Sequence, residues 1–423
     1  MSPRSIRRRF VLVAFLGWLP AGLMMAPQVL LMTSRGVELA EIGVVFSIYG
    51  LTVMALELPT GGLADVIGRR MVVVASAVFT VAGLSVLALA TSTGMFVVAM
   101  VLKGMARALS SGPVEAWFVD ALHEAEGPEA DLKPGLAAGS VAASVALCGG
   151  VLAGGLLPLV VPGESLTVPI WAGAGAGVVL LVVVLVVLRE PARGPKASLG
   201  TVLHGVPLAI RSGFGVAIRD RGVGRLLLVS AGLGVMLNAI EMLTPGRLAV
   251  LTGGVETGST AYALVAAVGF AANAAGSSLA PWFARRFATS ERAAIAGTIA
   301  TALAVGGLAA SVALAGLAGM IGAGSGYILI FAALALSEVI RMELLHRRVV
   351  SGLRATVLSV NSLLLQAGGT LSAVALGALA ATGGVAWAWA VCAAVMLLLA
   401  LLYVRLPAPR IEGCSADEAQ STA

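Results

Sequence analysis

One feature recurs along most of the chain: apolar runs of about twenty residues separated by short polar turns. A bilayer core demands helices of that length, because each backbone N–H and C=O inside it must be satisfied within the segment. Breaks at Gly, Pro and charge give twelve candidate spans, at 9–33, 41–61, 71–91, 95–120, 136–160, 168–188, 225–248, 258–284, 291–314, 317–343, 354–380 and 383–404. Only 11% of the 423 residues are charged, too few for a soluble domain of this size. The expected fold class is an all-α polytopic membrane protein, with the lipid bilayer as its surroundings. Links as short as "TSTG" (91–94) and "TGG" (382–384) make neighbouring spans antiparallel.

The net charge of +6 would suggest nucleic acid in a soluble protein. Here it reflects sidedness, and no nucleic-acid partner is expected. Of the 27 Lys and Arg, 23 fall on the side that holds both termini, while the opposite loops hold Arg35 and Arg247. Basic loops stay cytoplasmic, so both termini are expected there, in a multi-pass plasma (inner) membrane protein. Trp171, Trp387 and Trp389 near external ends, and Trp117 and Trp282 near internal ends, read as interfacial anchors. The opening "RRRFVLVAFLGW" reads as a retained first span rather than a cleaved signal, because its apolar run continues past residue 30. Cys148, Cys392 and Cys414 are odd in number, and neither they nor His123, His204 and His346 make a metal pattern; no metal site or cofactor is expected.

The middle of the chain divides it. Residues 1–188 form one six-helix bundle and 225–404 another, with a cytoplasmic linker at 189–224 and a polar tail at 405–423 expected to be disordered. Within the linker, Leu199, Val202, Leu203, Val206, Ile210, Phe214 and Ile218 recur at helical steps, as in an amphipathic surface helix. The two bundles also share a string. "GGLADVIGRRM" at 61–71 aligns with "SSLAPWFARRF" at 277–287, pairing Arg69 with Arg285 and Arg70 with Arg286. Each string follows the second span of its half, the mark of two parallel pseudo-repeats around a central pathway.

The first string resembles motif A of the major facilitator superfamily, Gly-x-x-x-Asp-(Arg/Lys)-x-Gly-x-(Arg/Lys), matching at Gly61, Asp65, Gly68 and Arg70 and departing at Val66. "ELPTGGLAD", "RALSSGPVEAWFVD" and "RATVLSVNSLLLQAG" are similar to its drug-efflux-like branch. Gly61 and Gly62 allow close backbone approach, and Gly68 allows a sharp turn. The Asp65 carboxylate suits a helix N-terminus, where the backbone dipole favours an anion. The resemblance implies that this partner is the start of the eleventh span. It also implies that Arg69 pairs with Asp120 at the inner end of the fourth, and that these contacts form a gate which locks the outward-facing state. Glu57 belongs with that gate. The family's antiporter pattern in the fifth span survives only partly, at Gly150, Gly154 and Gly155, with Val151 where its proline is usual.

Charges within spans are the candidate transport residues. Lys103, Arg107, Ser111 and Glu115 are spaced by four and are expected to share one helical face. Gly104, Ala108 and Gly112 form a second row suited to close packing. Arg107 lies about 18 Å below the external end at ~1.5 Å per residue, too deep to snorkel. Lys103 is shallower and can reach outward, and Glu115 is a candidate partner for Arg107. In the seventh span Asn238 and Glu241 share a face, and a carboxylate there can alternate between a proton and a cationic group of a substrate. Its competing role is that of a capped interfacial residue near Pro245 and Arg247. Asn273, Asn361 and Gln366 are polar at depth, suited to ligand contact or to interhelical hydrogen bonds. Glu338 and Arg341, three apart, read as a local salt bridge.

These residues suit a monomeric secondary transporter working by alternating access. The favoured reading is proton-coupled efflux of small amphiphilic or drug-like compounds by an antiporter of the multidrug-resistance kind. An importer or facilitator of a small metabolite is the alternative. An enzyme or receptor lacks a nucleophile–base pattern, a phosphate loop and a signalling domain in this sequence.

Overall fold

The computed structural model describes residues 2–161, 165–188, 215, 218–349 and 353–407; the side chains of Leu58, Gly61, Gly62, Asp65 and Ala355 lie outside that description. Among the described residues, twelve spans form an all-helical bundle: α1 Pro3–Ser34, α2 Leu39–Ile67, α3 Arg69–Leu89, α4 Thr93–Glu126, α5 Lys133–Val160, α6 Val168–Val187, α7 Arg221–Thr252, α8 Val255–Ala284, α9 Ser290–Ala313, α10 Gly316–His346, α11 Arg354–Gly383 and α12 Val385–Tyr403. Eleven are long and apolar enough to cross a membrane by composition alone. The other, α10, is 31 residues long and carries Glu338, Arg341 and Glu343 in its last turns. The linker pattern at 199–214, most of the tail and Cys414 lie outside the described residues, whereas Ile218 is exposed. The seventh helix begins at Arg221, ahead of the expected 225, because the Asp220 carboxylate caps the Gly222 and Val223 N–H groups.

Two spans are broken where proline removes a donor and fixes φ. α1 consists of Pro3–Met25 and Pro27–Ser34. α4 consists of Thr93–Ser110 and Pro113–Glu126, with Gly112 left-handed at φ +91 between them. This break overturns the expectation of one face through Lys103, Arg107, Ser111 and Glu115, since Glu115 belongs to a second helix. Gly112 likewise leaves the packing row and forms the break, whereas Gly104 packs directly on Thr52 and the Tyr49 carbonyl.

Packing shows the repeat. In the first half α1 lies on α5 and α6, α4 on α2 and α3, and α3 on α6. In the second half α7 lies on α11 and α12, α10 on α8 and α9, and α9 on α12, the same pattern six spans later. The halves meet along two symmetry-related seams, α2 with α11 and α5 with α8. Small residues let backbones touch there, as membrane helices without a hydrophobic drive require. A methyl group built on Gly43 would stand 2.0 Å from the Ala373 carbonyl oxygen, and one on Gly155 would stand 2.2 Å from the Ala263 Cβ.

Those seam contacts lie toward the face opposite the termini. Ser165 and Glu256 add a 3.1 Å hydrogen bond there. Toward the terminal face, the nearest neighbours of Gly135 and Gly139 of α5 are Phe118 and Phe10 of their own half, while Leu136, Val141 and Val145 of α5 and Leu279 and Trp282 of α8 are exposed. The α5–α8 seam is therefore closed on the far side and splayed on the terminal side. The α2–α11 seam holds further, down to a 3.3 Å hydrogen bond from Ser362 to Glu57.

Two of the expected interfacial tryptophans are instead core residues. Trp117 and Trp389 are both 0% exposed, packed in the interiors of the first and second halves. Their helix faces point at neighbouring helices, which sequence depth alone does not resolve. Trp171, Trp282 and Trp387 are exposed.

Candidate functional site

The α2–α3 turn consists of one residue. Gly68 has φ +103 and ends one helix while starting the next, a conformation open to glycine but strained for residues with a Cβ. This turn directs Arg69 at α4, where its guanidinium pairs with Asp120 and donates to the Ala116 carbonyl. Arg70 donates instead to the Leu185 carbonyl of α6. The side chains of Gly61, Gly62 and Asp65, where the motif's contact with α11 was expected, lie outside the described residues. Glu57 accepts from Ser362 across the seam, and its second carboxylate oxygen is buried without a hydrogen-bond partner among the described residues.

A cavity of about 730 Å³ opens within the first half. It follows α1 from Phe10 to Met24, about 20 Å at the helical rise of ~1.5 Å per residue, between the terminal face and mid-membrane. Lys103, Arg107 and Glu115 all line it, so the break in α4 brings together residues that a continuous helix would have aligned differently. Lys103 does not reach outward: it is 8% exposed, donates to Gln28 of α1 and lies 5.9 Å from the centre of the Tyr49 ring. Burial of the Lys103 ammonium is thus answered by an amide oxygen.

Arg107 differs. It is exposed to the cavity, its guanidinium 5.2 Å over the Trp18 ring, within cation–π range of about 6 Å. Among the described residues it has no ion pair or side-chain hydrogen bond. Glu115 is exposed, lies closer to the terminal face and makes no ion pair with Arg107.

Across the interface, Glu241 of α7 is exposed and, among the described residues, has neither a salt bridge nor a hydrogen bond. Arg247, its expected neighbour at a capped interface, instead donates to carbonyls at the end of α9 and to Leu314. Asn238 presents a buried Oδ1 without a hydrogen-bond partner among the described residues, beside Gly369. In the second half, Tyr262 and Tyr327 meet edge to face, their ring centroids 6.0 Å apart. Gln28, Trp18, Tyr49, Tyr262 and Tyr327 escaped the sequence reading. The signal available was their rarity, since the chain has only four tyrosines.

Other deep polar residues hold helices together. Asn273 donates to the Phe331 carbonyl at 3.3 Å. Asn361 accepts from Ser230 at 2.5 Å and from Arg341 at 3.0 Å. Gln366 is half-buried and makes no side-chain hydrogen bond among the described residues. Arg341 does more than bridge locally to Glu338. It is 1% exposed and also donates to Ser230 and to the Leu226 carbonyl, tying α7, α10 and α11 together. Gly150 and Gly154 of the fifth span pack on Gly22 and Leu23 of α1, and Gly155 packs on α8.

A family model described as Major Facilitator Superfamily matches residues 9–357. No curated protein matches the chain. Among solved structures, the nucleoside transporter NupG superposes with a TM-score of 0.75 at 14% identity, covering 95% of this chain and 98% of that one. A D-xylose-proton symporter gives 0.71 at 14%, covering 97% and 99%. A bacterial homologue of the human lysosomal transporter Spinster, inward-facing and unoccupied, gives 0.65 at 16%, covering 96% and 95%.

Proposed function

The chain belongs to the major facilitator superfamily, and from that premise we propose that it is a proton-coupled secondary transporter exporting small amphiphilic, drug-like compounds. One observation carries the coupling: Glu241 stands exposed at mid-span with no ion pair or hydrogen bond among the described residues. A carboxylate in that setting can hold a proton in one half of the cycle and a cationic group in the other. The Lys and Arg bias supports termini on the cytoplasmic side of the plasma membrane, so the splayed terminal face corresponds to an inward-facing state. Alternating access then parts the α2–α11 and α5–α8 seams on the external side and closes them on the cytoplasmic side.

In this cycle the motif A turn is the gate. Gly61, Gly62 and Gly68 shape it, Asp65 meets the start of α11 when the inner side closes, and Arg69 with Asp120 holds the turn on α4. Arg70 fastens it to α6, and Glu57 with Ser362 forms the last contact before the halves diverge. The chain acts as a monomer.

A second reading is import of a small hydrophilic solute. The polar group of Gln28, Lys103, Tyr49 and Arg107 favours it, and proteins named as nucleoside and xylose carriers share this fold.

Transport in inside-out vesicles with and without a proton gradient separates these readings. Export requires gradient-driven accumulation, and Glu241→Gln is expected to abolish the driven component. Full gradient-driven activity in that variant would remove Glu241 from the coupling.

A further inference from the structure

The first-half cavity holds a guanidinium whose donors are unspent. Arg107 lines it near mid-membrane, exposed to the interior space, and among the described residues its N–H groups meet neither a carboxylate nor another hydrogen-bond acceptor. The Trp18 ring, its centre 5.2 Å from the guanidinium carbon, answers the positive charge with its π face but supplies no oxygen. A charge at this depth is costly and ordinarily has a partner. Lys103 has one, since it donates to Gln28, and Arg341 is engaged by Glu338, Ser230 and Asn361. Arg107 faces open space.

The rest of the cavity defines what can fill that space. Its volume of about 730 Å³ suits a small organic molecule. Phe10, Val13, Met24, Leu84, Leu147 and Leu180 give it an apolar wall beside Trp18. Several hydroxyls of the wall are already spent, because Ser76, Thr80, Ser110 and Ser144 donate to helix carbonyls. A neutral polyhydroxy solute therefore finds few donors there. A carboxylate finds the planar fork that it engages with two parallel N–H···O bonds. Charge selects in the same direction. Lys103, four residues from Arg107 on one unbroken helical segment, adds a second cation to the wall. Among the described residues Glu115 is the one carboxylate that lines the cavity, and it sits beyond the Gly112 break, without an ion pair to Arg107. A cationic ligand would be repelled at the depth where an anionic one is held.

We propose that the transported compound is an aromatic carboxylate bound wholly within the first-half cavity, its carboxylate on the Arg107 fork and its flat body along the apolar wall beside Trp18. This rests on the reading of the protein as a carrier of small amphiphilic compounds, and it names the charge of their head group. Such a ligand compensates Arg107 where no side chain does, and burial of its ring adds the apolar contribution. It makes no demand on Glu241, which lines no part of this cavity.

The test is ligand-induced thermal stabilisation of the purified full chain in detergent, titrated with para-ethylbenzoic acid, para-ethylbenzamide, para-ethylbenzylamine and acetate. The three aromatic compounds share a body and differ in head charge, whereas acetate carries the head without the body. The acid is expected to bind about tenfold or more tightly than the amide, with the amine and acetate weaker still. Arg107→Gln should bring acid and amide to equal affinity. Arg107→Lys should recover only part of the preference, because an ammonium lacks the fork. Location has its own readout, in a background lacking the native cysteines. At ten times its Kd the acid should slow maleimide labelling of Ser144→Cys, on the cavity wall, about tenfold. No binding of the acid, an amide that matches it, a preference that survives Arg107→Gln, or labelling indifferent to the acid would each overturn the proposal. The wild-type series and Ser144→Cys decide the matter even where Arg107→Gln folds poorly. This experiment uses no proton gradient. Carboxylate preference without gradient-driven transport would sink the coupling and keep this inference, and the reverse result would do the opposite.

Discussion

Substituting Gly43 with alanine should push the protein toward its outward-open state. A methyl group at Gly43 would stand 2.0 Å from the Ala373 carbonyl oxygen, where ordinary contact begins at 3.4 Å. The α2–α11 seam must therefore part by about 1.4 Å, and no rotamer relieves the clash because the opposing atom is backbone. Overpacking of this kind costs about 1–3 kcal/mol. The clash exists only while the far side is closed, so the cost falls on one state and shifts the equilibrium about 5- to 150-fold. The readout is labelling of Ser259→Cys in a background lacking the native cysteines, with a membrane-impermeant maleimide applied from the external side. Ser259 is 0% exposed at the other seam, against Gly155, so its labelling reports separation of the halves rather than local damage. Gly43→Ala should raise the labelling rate about fivefold or more. Gly368→Ala is the control. Its methyl group would stand 1.8 Å from the Ala231 carbonyl oxygen, an equally severe clash but wholly within the second half. It should lower thermal stability without exposing position 259. Unchanged labelling in Gly43→Ala, or an equal rise in Gly368→Ala, would refute the argument that the seam glycines set the equilibrium.

Removing the Arg341 side chain as Arg341→Met should lower stability by about 1–3 kcal/mol, seen as a fall in melting temperature. The loss comes mainly from the buried Ser230, Asn361 and Leu226 oxygens, since water can reach the 36%-exposed Glu338. Arg341→Lys should recover little of it, because an ammonium lacks the planar fork; full stability in either variant would show the node to be dispensable. For the gate, Asp65→Asn is expected to slow turnover in vesicles while leaving substrate affinity intact, and normal turnover would remove Asp65 from it.

Much of the architecture could be read from the residues. Span length, Gly and Pro punctuation and the shared string at 61–71 and 277–287 were enough for twelve helices in two repeats. The break in α4 was also written there, as "SSGPV". The four-residue spacing of Lys103, Arg107, Ser111 and Glu115 competes with that signal, because it suggests an unbroken face. Spacing is blind to a left-handed glycine before a proline, which turns the axis and discards the alignment. Trp117 and Trp389 show a related limit: depth in a span is legible, but which neighbour a face meets is not.

By itself, then, the sequence determined what the bilayer enforces locally: helices of membrane length, short reversals, basic residues on one side and a glycine at the sharp turn before Arg69. These follow from backbone satisfaction, charge and φ within a few residues of each other. Only the tertiary structure decided which polar residues are spent on holding helices together and which remain free. Asn361, Asn273 and Lys103 look alike in the chain to Arg107 and Glu241, yet the first three find partners on other helices. Whether a deep polar group finds a partner depends on residues tens or hundreds of positions away, brought near by packing, and no local pattern carries that information.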